Sequence, residues 1–279
     1  MGKPSTSTIR LIASRPARVC ASLALIAPLA AAAVVAQAPL FTPGGDLDLY
    51  VAGALDPNAR TYESPANAAV LVVSDRLPSP VILHVRSRGV QAVPMARLQE
   101  SGRGLLLQRG EALADLGSFE LDKSDIKFSH GSVAAVLRPK PSLVGAHTLA
   151  ELYEHTPKYK TDAAEYAPDP EIVDKLRSVG GDYHVKIVFG SWCHVCKQYL
   201  PRGLAVVEAL SGAPIKFEYL GLPLEDPWNT PEVKRLAVKS LPTAIVYRGD
   251  QEIGRFAGAE DFNRPEARLW DAIARSQAK

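Results

Sequence analysis

Two cysteines three residues apart, set between a strand-like run and a helix-like run, constrain this chain more than any other feature. In Phe189-Gly190-Ser191-Trp192-Cys193-His194-Val195-Cys196-Lys197, a mostly apolar stretch over 185–189 precedes the pair and a helical pattern comes after it. A thiol at the first turn of a helix meets unpaired backbone N–H groups and the positive end of the helix dipole, and both favour its thiolate. A second thiol one turn further on is close enough to attack a mixed disulfide formed by the first. This order makes Cys193 the nucleophile and Cys196 the resolving thiol.

Composition narrows the alternatives. The chain has 279 residues, enough for a sizeable core and two domains. Its net charge is +2, but Lys3, Arg10, Arg15 and Arg18 stand in a first segment without acids, and the remainder carries −2. A whole-protein electrostatic case for binding nucleic acid therefore fails, and none is expected as a partner. The four basic residues precede an uncharged, mostly apolar run over 19–36 that ends in small residues. Residues 1–38 read as an export signal or an uncleaved membrane anchor, which places the rest of the chain in the periplasm or cell envelope. Cys20 opens the apolar run and reads as a small hydrophobe. If the leader is removed, only Cys193 and Cys196 remain, which is the economy of a redox site rather than of a disulfide framework. A zinc site needs four ligands, and the histidines show no matching spacing, so no metal is expected.

Beyond the leader, the pattern divides the chain into three segments. Residues 39–67 are rich in Pro, Gly, Asp and Asn and read as an entry loop. Short β-prone runs at 70–73, 81–85, 104–107, 126–128 and 133–137 give a small β-rich domain over 39–145, of unknown role. Residues 146–182 read as a linker with helices: a short one over 148–154, a proline-rich connector over 155–170, and a helix to 179 opened by Asp169-Pro170. From 183 strands and helices alternate: strand 183–189, helix 193–210, strand 215–220, helix 231–239, strands 243–247 and 252–256, and a last helix over 264–275. This α/β order implies one mixed sheet with helices on both faces.

Residues 183–275 resemble the thioredoxin family. The resemblance rests on Trp192-Cys193-His194-Val195-Cys196-Lys197, on Pro201 eight residues after the first cysteine, on Leu241-Pro242-Thr243, and on Gly258 sixteen residues beyond Pro242. It implies a thioredoxin-like C-terminal domain over 183–279 and a cis peptide before Pro242. It also implies a substrate-binding segment at Leu241, Pro242 and Thr243, and active-site tuning by Trp192, His194 and Lys197. The activity it implies is thiol–disulfide exchange with protein thiols or disulfides, without an organic cofactor and with an unidentified redox partner. Two departures matter. Where cytoplasmic thioredoxin carries a buried acid, this chain has Ile187, and where some envelope reductases carry one, it has Tyr199. Glu218 on the next strand is the remaining candidate acid, and the direction of electron flow does not carry over. Readings from other classes are a non-catalytic binding or assembly module of the cell envelope, and a metal-delivery protein.

Overall fold

The computed structural model describes residues 38–277. The expected signal or anchor segment lies outside the described residues, apart from Ala38. Among those described, no helix is long and apolar enough to cross a membrane.

Antiparallel strands fill the first part of the described residues, which make one compact unit. They are β1 (Leu40–Pro43), β2 (Leu47–Val51), β3 (Ala54–Asp56), β4 (Arg60–Ser64), β5 (Ala69–Val73), β6 (Val81–His84) and β7 (Gly89–Ala92). After these come β8 (Leu98–Ser101), β9 (Gly104–Leu107), β10 (Ala114–Ser118), β11 (Glu120–Asp122), β12 (Asp125–His130) and β13 (Val133–Pro139). One sheet has the order β10-β7-β6-β5-β4-β1-β9-β8, the other β11-β12-β13-β2-β3. Both faces of the longer sheet are covered. Leu71, Val73 and Ile82 pack with Phe41, Tyr62 and Val93 on one side. Val72, Val81 and Leu83 pack with Leu49, Phe128 and Leu137 of the second sheet on the other. That double burial is why β5 and β6 read as unbroken apolar runs rather than as alternating ones.

The entry loop expected over 39–67 is instead β1 to β4. Its glycines, Asn58 and Pro57 sit at the turns between very short strands, so punctuation outweighs the pattern in the sequence. The alternation is present in β2, where Leu49 and Val51 are buried and Asp48 and Tyr50 are not.

The second part contains β14 (Gly145–His147), α1 (Leu149–His155), α2 (Pro157–Ala164), α3 (Pro170–Arg177), β15 (Tyr183–Phe189) and α4 (His194–Ala209). It ends with β16 (Ile215–Gly221), α5 (Pro231–Leu236), β17 (Thr243–Arg248), β18 (Gln251–Ala257), α6 (Gly258–Asp261) and α7 (Pro265–Gln277). The sheet order is β14-β16-β15-β17-β18, with β15 parallel to β16 and antiparallel to β17. The alternation expected from residue 183 is therefore present.

Residues 146–182 do more than link. Leu152, Tyr159, Ala163, Val173 and Leu176 belong to the same buried cluster as Val185, Ile187, Leu200 and Ile245. Pro157, which reads as a breaker, occupies the first turn of α2, where its missing N–H has no intrahelical partner to lose. Thr148 and Glu151 close α1 with reciprocal side-chain to backbone bonds, and the Asp169 carboxylate caps α3 by accepting from the N–H groups of Glu171 and Ile172.

The two parts meet at a glycine. A Cβ on Gly45 would lie 2.8 Å from the Thr156 Cα, at the start of α2. Because that neighbour is backbone, it cannot rotate away. Gly45→Ala is expected to lower the stability of the chain by about 2 kcal/mol in urea unfolding, with a lower midpoint.

Candidate active site

Strand β15 is paired on both edges, and its last residues Ile187, Val188 and Phe189 are all buried. The chain leaves the sheet through Gly190-Ser191-Trp192 and enters α4 at once. This turn is pinned three times. The Cys193 N–H donates to the Gly190 carbonyl at 3.0 Å. The Ser191 hydroxyl, itself buried, accepts from the Leu143 N–H at 3.1 Å. The Trp192 indole Nε1–H donates to the Leu222 carbonyl at 3.0 Å.

Cys193 is the N-cap of α4, and its Sγ accepts from the Cys196 N–H at 3.5 Å. Both cysteines are free thiols. Cys193 is partly exposed and Cys196 is fully buried. Their environments drive them apart. The Cys196 thiol donating to its sulfur, helped by the N–H groups of Cys196 and Val195 and by the charge of His194, pushes the pKa of Cys193 down to about 6 against some burial. Burial, and then the neighbouring Cys193, push the Cys196 thiol far above its ordinary range. One sulfur is thus held as a thiolate near neutrality and its neighbour as a thiol.

The other expected residues lie close by along the chain or the sheet. His194 opens α4 and is exposed. Lys197 is no free surface charge, because its Nζ lies 2.7 Å from the Asp46 carboxylate of the β-rich part. Pro201 sits inside α4 and is buried. The Leu241–Pro242 peptide is cis. Because β17 runs antiparallel to β15 with Thr243 opposite Val188, this peptide lies at the sheet end from which α4 departs. Gly258 takes a φ of +72°, which favours glycine, and its N–H donates to the Pro242 carbonyl at 2.8 Å. Leu241, Pro242 and Thr243 are all buried, and the Thr243 hydroxyl donates to the Ser240 carbonyl at 2.6 Å.

This part of the chain has a thioredoxin-like fold. Similar solved structures include thioredoxin f from spinach chloroplast, 23% identical over 36% of this chain and 82% of its own, with a TM-score of 0.26. Thioredoxin from Trypanosoma brucei brucei is 25% identical over 39% of this chain and 88% of its own, with a TM-score of 0.27. A Pseudomonas aeruginosa protein of unknown function is 12% identical over 47% of this chain and 88% of its own, with a TM-score of 0.36. No family model and no curated protein matches the chain.

Ile187 and Tyr199 supply no acid to the site, and Glu218 is exposed and paired with Lys186 at 3.0 Å. Among the described residues no group of three or more His, Cys, Asp or Glu is placed to hold a metal ion. What sequence reasoning missed is a cleft of about 440 Å³ beside His194 and Lys197, lined by Asp46, Glu63, Tyr159 and Asp162. No local signal marks these residues, since they come from β4, α2 and the turn after β1.

The contrast between the sulfurs predicts selective alkylation. Iodoacetamide is expected to label Cys193 with a rate that rises through a midpoint near pH 6 and then levels, while Cys196 stays unlabelled in the folded protein. Mass-spectrometric mapping across the pH range checks both halves.

Proposed function

We propose that this chain is an exported thiol–disulfide oxidoreductase that acts on protein substrates through Cys193-His194-Val195-Cys196. The observation that supports it most is the opposed state of the two sulfurs, one partly exposed and held as thiolate, the other buried and held as thiol. A lone structural thiol pair has no need of that asymmetry.

In the reducing direction the Cys193 thiolate attacks one sulfur of a substrate disulfide. A Cys193–substrate bond forms, the substrate S–S bond breaks, and the other substrate sulfur leaves as thiolate and takes a proton from solvent. Cys196 then loses its proton and attacks the Cys193 sulfur. The Cys193–Cys196 disulfide forms, the second substrate sulfur leaves and is protonated, and two electrons have passed from the protein to the substrate. The oxidising direction is the reverse, and a redox partner resets the pair.

The Trp192 indole, held by its bond to the Leu222 carbonyl, directly precedes the nucleophile in the chain. Since the side chains of Leu241, Pro242 and Thr243 are buried, that segment would meet a substrate strand mainly through its backbone. Export rests on the basic and apolar leader, with the periplasm or cell envelope as the destination and residues 19–36 as the one proposed contact with membrane.

Reduction of insulin by dithiothreitol tests the chemistry. The chain is expected to accelerate precipitation, Cys193→Ser to fall to the uncatalysed rate, and Cys196→Ser to accumulate a mixed disulfide with substrate. Equal rates for the parent chain and Cys193→Ser would reject the proposal in favour of a binding module. A reporter enzyme active only after export, fused beyond residue 38, is expected to be active, and loss of Lys3, Arg10, Arg15 and Arg18 together is expected to silence it.

A further inference from the structure

Resolution of a mixed disulfide requires Cys196 to give up a proton that its burial holds in place. The elements that carry the pair offer no acceptor. Strand β15 contains no acid, and the single acid of α4, Glu208, lies in its last turn with the Tyr153 hydroxyl donating to it at 2.9 Å. The cleft beside the pair does offer one. Of its three carboxylates, Asp46 is bound to Lys197 at 2.7 Å and Asp162 to Lys158 at 2.8 Å. Glu63, on β4, makes no hydrogen bond or ion pair through its carboxylate among the described residues and lines the same cleft. Tyr159 lines the cleft with these acids and shares the buried core of Cys196. Its side chain is 1% exposed, and its hydroxyl is buried without a hydrogen-bond partner. Burial acts on that hydroxyl first, and after it the charges of Cys196, Asp46, Cys193 and Asp162. A buried hydroxyl with no partner is costly unless a solvent molecule or a reacting group meets it.

We infer that Tyr159 and Glu63 form a proton path that carries the Cys196 proton into the cleft during resolution, an inference resting on the exchange chemistry proposed above. The Tyr159 hydroxyl accepts the proton from Cys196 as its own proton passes on, through water in the cleft, to the Glu63 carboxylate. The Cys196 thiolate attacks Cys193, the bond from Cys193 to the substrate breaks, and the departing substrate thiolate is protonated. Glu63 returns its proton to solvent or to that thiolate, so the residues end as they began. Burial and the nearby Asp46 raise the Glu63 carboxyl above its ordinary value, with Asp162 acting in the same sense and Lys158 and Lys197 opposing, while His194 borders the cleft. This brings Glu63 closer to neutrality, where an acceptor that must also release works best.

The test uses the full reduced chain and 5,5′-dithiobis(2-nitrobenzoate). Attack by Cys193 releases one nitrothiolate, and resolution by Cys196 releases the second. Glu63→Gln and Tyr159→Phe preserve size and packing. Both are expected to leave the first release unchanged and to slow the second at least about tenfold near neutral pH. The gap is expected to close in strong alkali, where hydroxide takes the Cys196 proton directly. Second-phase rates equal to the parent at every pH would overturn the inference, and so would a slowing that does not vary with pH, which marks displaced structure. A parent chain that shows no second phase at any pH would instead overturn the exchange chemistry itself.

Discussion

A strand hydrogen-bonded on both edges and buried on both faces leaves the chain one way out, through its end. At its last residues, Ile187, Val188 and Phe189, strand β15 is in that position, between β16 and β17 and within the main core. Everything that matters chemically depends on how the chain leaves it. The turn at Gly190-Ser191-Trp192 is too short to wander and is fixed by bonds to Gly190, Leu143 and Leu222. Helix α4 then joins the core that holds Ile187 and Phe189, to which it contributes Leu200 and Leu204. Its first residues are thereby held at the rim and its second turn in the core. Residues three apart share a helix face, so face does not separate Cys193 from Cys196; depth along the axis does, from the N-cap at the rim to a buried first-turn position. That step from cap to core sorts the two sulfurs into a thiolate and a thiol.

Those features were legible because they are local. The apolar run over 185–189, the cysteine spacing and the helical pattern sit within about twenty residues, and the landmarks Pro201, Pro242 and Gly258 have fixed distances along the chain. The Asp169-Pro170 helix start was legible for the same reason, since a cap and its first-turn proline are neighbours. Residues 39–67 and 155–170 were not. Their strands and helix are short, and glycine and proline there serve as turn and first-turn residues, which the sequence alone does not separate from loop punctuation. The cleft was out of reach altogether. Lys197 finds Asp46 across 151 positions, and no periodicity reports a contact of that kind.

Electrostatics gives the β-rich part a place in this scheme. It contributes Asp46 and Glu63 to a cleft whose other groups include Lys158, Tyr159, Asp162, His194 and Lys197 of the second part. Two ion pairs hold most of that charge close to neutral. Each is partly exposed and contributes little to stability on its own, about 0.5 kcal/mol. Their effect is on arrangement: they engage two of the three carboxylates, while the third, Glu63, makes no ion pair among the described residues and lines the same cleft as Tyr159.

Gly45 has a consequence for whatever meets the reactive sulfur. With only a hydrogen where a side chain would stand, its turn seats directly on Thr156 and Pro157, and no spacer separates the two halves. One side of the cysteine end is therefore already occupied, as though a permanent guest were moored there.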